Sequence, residues 1–379
     1  MNKTYLLTPG PTPLPPEVRE ALSREIIHHR TKAFQEILGE CLNDLKEIFK
    51  TKNDIFILTS SGTGAMEAAV VNLLSRGDKA LCVQGGKFGE RWTEICQAYG
   101  VDAEIVDVQW GEAVDPQVIE EKLKANEDIK AVFTTLCETS TATSSDIKAI
   151  GSIVGNHKCV LVVDAISALG AVDLETDEWG VDVVVCGSQK GLMLSPGLAF
   201  ISMSPKAYSL MESSDLSRYY FDLRKAKKIV DKPDTPFTPA VSLVVALKEA
   251  LSLMKKEGLE QRFKRFSLYR EALKKAAVAL GLSIFSRSPS DAVTAINLPP
   301  DIDGVKLVKI MRDTYGVGIA GGQGKLKGKI IRIAHMGYIN ARDIITAISA
   351  LEDTLKDMGY KFQIGAGIKA AKEILKETR

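Results

Sequence analysis

The chain has 379 residues, 45% of them hydrophobic, and 49 Lys and Arg against 48 Asp and Glu, for a net charge of +1. That is enough apolar sequence for a sizeable core and about two domains. So balanced a charge excludes the broad basic field that nucleic acid or an anionic membrane surface would require. The N-terminus lacks a signal-peptide pattern and no apolar run approaches the ~20 residues of a membrane helix, so a soluble, cytoplasmic protein is expected. Six scattered cysteines (Cys41, Cys82, Cys96, Cys137, Cys159, Cys186) form no CxxC pair. Several lie in apolar runs, so they are expected to be buried, reduced thiols, and no metal site is expected.

Residues 1–15 hold four prolines and read as an extended arm, neither helix nor central strand. Pro16 to Phe49 has helical spacing with a break near His28, His29 and Arg30. From residue 55 short apolar runs alternate with helix-like segments. Strands are expected at 55–59, 79–84, 102–107, 131–136, 160–164 and 181–187, with another at 198–202 after the Ser-Pro-Gly turn. Unbroken β-branched runs suit strands covered on both faces, and helices between them imply a mainly parallel, seven-stranded sheet. Residues 218–236, rich in charge and containing two prolines, read as a surface loop. Helices are expected over 242–258 and 259–280. Beyond them alternation returns at 283–285, 292–298, 317–320 and 329–334, with helices near 304–315 and 340–358. The expected division is an arm (1–15), a large α/β domain (16–260) and a smaller α+β C-terminal domain (261–379).

Ligands of parallel sheets gather beyond the carboxyl ends of the strands, and four strand ends carry chemistry. The first, Leu58 to Glu67, turns through Ser61, Gly62, Thr63 and Gly64 into a helix expected from about Ala65. Backbone N–H groups and hydroxyls there form an anion cup, although the same residues suit an ordinary capped turn. The second is Asp164, at the end of a buried strand, able to hold a positive group or to cap the next helix. Lys190, just after another buried strand, is the third. Desolvation would free its amine as a nucleophile, and a surface lysine covering apolar area is the plainer alternative. Gly-turn, aspartate and lysine come in order, each at a strand end. That combination points to pyridoxal phosphate (PLP), with Lys190 as the Schiff-base lysine and Asp164 keeping the ring nitrogen protonated. The fourth is Arg332, on an apolar strand where a guanidinium needs an anionic partner. A substrate α-carboxylate would suit its planar fork. His335 nearby reads as structural.

With these residues the chain resembles the class V aminotransferases, fold-type I PLP enzymes, in the branch of alanine–glyoxylate and serine–pyruvate aminotransferases. The resemblance runs through TPGPTPLP (8–15), SSGTGAMEAA (60–69), GKFGERW (86–92), CETST (137–141), VDAISALG (163–170), GSQKGL (187–192) and RIAHMG (332–337). It implies a ping-pong amino transfer from a small amino acid, alanine or serine, to glyoxylate or pyruvate through an internal aldimine at Lys190. It also implies that Phe88 and Ile166 cover the two ring faces. Ser61, Gly62 and Thr63, helped by Gln189, would cradle the phosphate. Thr139 would contact cofactor or substrate, Gly10 and Pro11 would line the substrate pocket, and Arg332 would grip the carboxylate. The family is dimeric, and Thr238 matches a residue that reaches the neighbouring chain's phosphate. A tyrosine common three positions earlier is Thr235 here. Cysteine desulfurases share the fold but typically carry histidine where this chain has Gln189, and they need a late cysteine, whereas the last here is Cys186. Transamination of 2-aminoethylphosphonate or ureidoglycine, in related branches, stays open, as does an aspartate donor. Aspartate would want a second cation, for which Arg30, Lys32 and Arg224 are candidates.

Overall fold

The structure is a computed structural model describing residues 4–376. Residues 1–3 of the expected arm and 377–379 of the expected C-terminal domain lie outside the described residues. The chain opens with a short strand, β1 (Tyr5–Leu6), followed by α1 (Pro16–Leu22) and α2 (Lys32–Phe49). Pro16 starts the first helix at the position where its missing N–H costs nothing. Thr31 restarts the second by accepting the Phe34 N–H, which explains the break around His28 to Arg30.

Alternation then runs as expected: β2 (Asp54–Ser60), α3 (Gly62–Leu73), β3 (Lys79–Gln84), α4 (Lys87–Ala98), β4 (Asp102–Asp107), α5 (Pro116–Ala125) and β5 (Ile129–Thr135). A small hairpin follows, β6 (Cys137–Glu138) with β7 (Thr143–Ser144), then α6 (Ile147–Val154), β8 (Val160–Asp164), β9 (Val183–Gly187) and β10 (Gly197–Met203). Seven strands join in the order β2-β10-β9-β8-β5-β3-β4. Only β10 is reversed, pairing antiparallel with both β2 and β9. The other six run one way, so Ser60, Gly187, Asp164, Thr135 and Gln84 all end at the same edge.

Both faces of this sheet are buried. Leu161, Val163, Val184 and Cys186 join one apolar cluster, and Val160, Val162, Val183 and Val185 join the other. Every second residue serves the opposite layer, which is why these strands are unbroken apolar runs. Trp92 of α4 stacks on Phe133 of β5 at 4.7 Å between ring centroids. All six cysteines are free and buried.

After α7 (Pro205–Ser213), α8 (Leu223–Lys227), α9 (Val241–Glu257) and α10 (Leu259–Ala279) comes a four-stranded antiparallel sheet. It is built from β11 (Ser283–Ile284), β12 (Val293–Asn297), β14 (Ala320–Gly321) and β15 (Ile330–Ala334), in the order β11-β12-β15-β14. The helices α11 (Gly304–Asp313), α12 (Ala341–Asp357) and α13 (Ala366–Lys376) and the strand β13 (Val317–Gly318) complete the chain. The whole is the α/β fold anticipated from the sequence. No described helix is long and apolar enough to cross a membrane.

Four local expectations change. The strand expected at 317–320 is two: β13 leaves the sheet to pair in parallel with β1 of the arm, while β14 stays beside β15. Helix α3 begins at Gly62, not near Ala65, because its glycines serve close approach. A Cβ on Gly62 would lie 2.6 Å from Ile166 Cδ1 and one on Gly64 1.9 Å from Ser60 Oγ. The 218–236 loop contains α8, whose Leu223 is buried. Helix α13 was not anticipated from its short apolar spacing. It is held by Glu352 of α12, which accepts the N–H groups of Gly365 and Ile368 at 2.7 and 3.0 Å.

Candidate active site

The expected residues converge at the common strand edge. Asp164 ends β8 and is buried, and its Oδ1 accepts the Ile166 N–H at 2.7 Å, which turns the chain straight after the strand. Burial pushes its carboxyl up to about 7, with Glu138 adding to the effect and the Ile166 N–H, Arg91 and Lys190 opposing it. Lys190 follows the neighbouring strand β9 by three positions. Its half-buried side chain donates from Nζ to the Pro9 carbonyl of the arm. Burial lowers its ammonium to about 8 against the pull of Asp164. An amine so poised is partly free at neutral pH.

The arm is fastened to this lysine turn. Thr12 donates from N–H to Gln189 O (3.1 Å) and from Oγ1 to Lys190 O (2.9 Å). Gly10 has φ +113°, and a Cβ there would lie 2.4 Å from Lys190 Cε, so only glycine lets the arm pass over the side chain. Its other side reaches the smaller sheet, where Ala334 N–H donates to Leu7 O at 2.9 Å.

Beside Asp164 lies the start of α3. The first N–H groups of a helix lack intrahelical partners and bear positive dipole. Ser61, an extended N-cap without a side-chain cap bond, and Thr63 are both exposed there. A Cβ on Gly187 would come within 3.5 Å of Gly62 Cα and 3.1 Å of Gln189 Oε1, so β9 and α3 abut. Gln189 Oε1 is buried without a hydrogen-bond partner. Ile166, almost fully buried, packs against Gly62.

Phe88 stands in the first turn of α4, with the Arg91 guanidinium carbon 4.9 Å from its ring centroid. Arg91 also donates to Thr63 Oγ1 at 3.3 Å, which brings a cation to the α3 terminus. Thr139 is buried, and its hydroxyl donates to Ser167 Oγ at 2.6 Å. Arg332 is 5% exposed, but its expected anionic partner is replaced by carbonyls. Nε and Nη2 donate to Gly321 O at 3.0 and 2.8 Å, and Nη1 to Thr139 O at 2.9 Å. Of the five guanidinium N–H groups, two remain, one on each Nη. Burial lowers its pKa to about 10, which leaves it cationic at neutral pH.

Other candidates stay apart from this cluster. Thr238 is exposed and lines a groove along β2 with Thr235 and Phe237. Arg30 pairs with Asp234 and the Thr235 carbonyl, Lys32 with Glu36, and Arg224 with Asp222. His335 is fully buried, with Nε2 3.0 Å from Thr294 Oγ1, and burial lowers it to about 3; it is a neutral structural histidine.

Glu138 was missed. Its buried carboxylate accepts the Phe88, Gly89 and Ser140 N–H groups at 3.0, 2.9 and 3.0 Å, and the Ser140 hydroxyl as well. The carboxylate therefore seats the first turn of α4, and with it the Phe88 ring, beside the Thr139 carbonyl that receives Arg332. Gly86 makes room, since a Cβ there would lie 2.5 Å from Glu138 Cδ. The signal was present: Glu138 is the one charged residue between Ala131 and Ser144, and a lone charge in a buried run must be paired.

A sequence profile of the aminotransferase class-V family matches residues 4–335. The chain belongs to this family. It is 42% identical to the soluble hydrogenase 42 kDa subunit of Anabaena cylindrica, over 98% of this chain and 99% of that one. Identity is 36% to the L-aspartate–glyoxylate aminotransferase of Paracoccus denitrificans and 36% to the serine–glyoxylate aminotransferase of Methylorubrum extorquens, each match covering 100% of this chain and 97% of the relative. Among solved structures, pyridoxamine–pyruvate aminotransferase from Mesorhizobium loti superposes with a TM-score of 0.95 at 30% identity, covering 100% of this chain and 98% of that one. The class-V aminotransferase architecture accounts for the shared strand edge, and the convergence described above occupies the position expected for ligands of such a sheet.

Proposed function

We propose that this aminotransferase uses PLP and moves the amino group of a small amino acid, alanine or serine, to glyoxylate or pyruvate. The observation that carries the reading is the placement of a desolvated amine, Lys190, and a buried carboxyl, Asp164, just past the ends of adjacent parallel strands beside an open helix N-terminus. The residues fit the cofactor. Lys190 would bond its aldehyde carbon and Asp164 the ring nitrogen. Phe88 and Ile166 would cover the ring, and Thr139 would contact cofactor or substrate. Ser61, Gly62, Thr63 and Gln189, whose Oε1 lacks a partner, would meet the phosphate, and Arg91 adds positive charge there. Bound PLP supplies an electron sink for the negative charge that develops at the substrate Cα.

The chain's own residues do the rest. Arg332 offers its two remaining N–H groups to the substrate α-carboxylate, which aligns Cα with Lys190. Lys190 Nζ takes the proton from Cα and returns it on the other side of the transferred nitrogen. Asp164, pushed up by burial, keeps its charge when a cationic nitrogen faces it. Gly10, which carries the arm over Lys190, and the exposed Pro11 after it would line the substrate side. In the homodimer that the family resemblance implies, the exposed Thr238 would complete the other chain's phosphate site.

Arg30, Lys32 and Arg224 each already face a carboxylate of their own chain, which favours a monocarboxylate donor; Arg30 also binds the Thr235 carbonyl and so lies on the segment that would reach the neighbouring chain's site. The aspartate–glyoxylate relative keeps aspartate as the alternative. Single-turnover mixing of the PLP-loaded protein with individual amino acids distinguishes them. Rapid loss of the visible absorption with alanine or serine, and not with aspartate, is expected, and the reverse overturns the donor assignment. Lys190→Ala should lose both the PLP–protein absorption and turnover, and retention of both would refute the site.

A further inference from the structure

Arg262 lies in the first turn of α10, where the helix dipole disfavours a cation, yet it is only 1% exposed. Its fork works in three directions. Nε donates to Gly170 O at 3.2 Å, Nη2 to Gly191 O at 3.0 Å and Nη1 to Glu257 Oε2 at 2.8 Å. Glu257 is also held by Arg265, at 2.6 and 3.0 Å.

The two carbonyls belong to the turns that follow β8 and β9. Gly170 closes the turn that starts at Asp164, which is wound on itself by Leu169 N–H to Ala165 O at 2.8 Å. Gly191 directly follows Lys190. These turns touch, since a Cβ on Gly191 would lie 2.2 Å from Leu169 O. Carbonyls converging at such a contact repel, and a guanidinium between them replaces repulsion with two charge-assisted bonds. The sheet itself joins the two strand ends only as far as Ala165 N–H to Val185 O at 2.9 Å, and the other ties on the lysine turn, from Thr12, Ser188, Met193 and Leu194, run to the arm, to β10 or within the turn and do not reach the Asp164 turn.

We propose that Arg262 is a positioning residue of the active site, tying the Asp164 turn to the Lys190 turn from α10 and so setting the spacing of carboxyl and amine. This rests on the cofactor roles given above for Lys190 and Asp164. A lysine cannot substitute, because an ammonium on a flexible stem does not present the planar fork that meets both carbonyls.

Arg262→Lys tests this. The PLP-loaded variant is expected to melt within a few degrees of the wild type. Its induced visible circular dichroism falls by about half or more. Its kcat drops roughly tenfold while KM for the amino donor stays within about twofold, the pattern of misplaced reacting groups. Without PLP, hydrogen exchange in peptides covering 165–170 and 186–191 is expected to accelerate about tenfold in both together. Unchanged dichroism and kcat overturn the proposal even if exchange accelerates, since the tie would then be structural only. Unchanged exchange in either peptide overturns it as well. Should the lysine variant not accumulate, Glu257→Gln, which removes the counter-charge and leaves the fork in place, is expected to move the same readouts in the same direction by about twofold to threefold. Unmoved readouts there refute the proposal. If the PLP assignment itself were wrong, the wild type would show no visible band with PLP, whereas the exchange comparison would still report on the link between the turns.

Discussion

His335→Gln isolates one buried titration. His335 is 0% exposed, with Nε2 at 3.0 Å from Thr294 Oγ1. Burial first, and nearby Arg270 second, hold its pKa down to about 3 against the Asp291 backbone, which favours the protonated ring. The unfolded value is about 6.5. Below that value the unfolded chain takes up a proton that the folded one refuses, so the stabilisation is fully present above pH ~6.5 and is lost as pH falls towards 3. Between pH 7 and pH 5 the single site removes about 2 kcal/mol. Glutamine retains a hydrogen-bonding group towards Thr294 and does not titrate. The measurement is urea unfolding of both PLP-loaded proteins at pH 7, 6 and 5, taken as a difference. Raised carboxyls such as Asp164 respond in the opposite sense, but they occur in both proteins and cancel. The wild-type advantage should shrink by about 2 kcal/mol from pH 7 to pH 5. Parallel pH dependences would show that His335 accepts a proton in the folded state, and the assignment of a neutral structural histidine would fail.

Gly10→Ala should be more damaging than its size suggests. The φ of +113° costs an L-residue about 1–3 kcal/mol, and the new Cβ would press on Lys190 Cε from 2.4 Å. The rate of PLP incorporation into apoprotein should fall at least tenfold, and wild-type incorporation would disprove the contact. Glu138→Gln replaces one of two acceptor oxygens with a donor in a site where every neighbour donates. It should destabilise the protein by about 1–3 kcal/mol and weaken the visible dichroism of bound PLP by loosening Phe88, as thermal melts and spectra would show. An unchanged spectrum would remove Glu138 from the support of the ring.

Much of the candidate site was legible because its residues break local rules. Lys190 and Asp164 are charges at the ends of apolar runs, and Gly62 and Gly64 are poor helix formers at a helix start. Each needs a reason that a short window can reveal. Gly62 also shows the limit: its window suggested a later helix start, and only the contact with Ile166 explains a helical glycine there. Arg332 was recognised as a buried cation needing a partner, but its carbonyl partners come from residues 321 and 139, which no local pattern joins to it.

By itself the sequence determined the alternation of strands and helices, since a strand buried on both faces must be apolar throughout and an amphipathic helix must repeat at its own period. It also determined the order of the chemical groups along the chain. Tertiary structure alone decided what holds those groups. Glu138 reaches Phe88 across 50 positions, Lys190 meets Pro9 across 181, and Arg262 spans 92 and 71 to join two turns. These are hydrogen bonds to backbone atoms, and every residue type offers a carbonyl and almost every one an N–H. Their partners therefore leave no mark in the sequence until the fold brings them together.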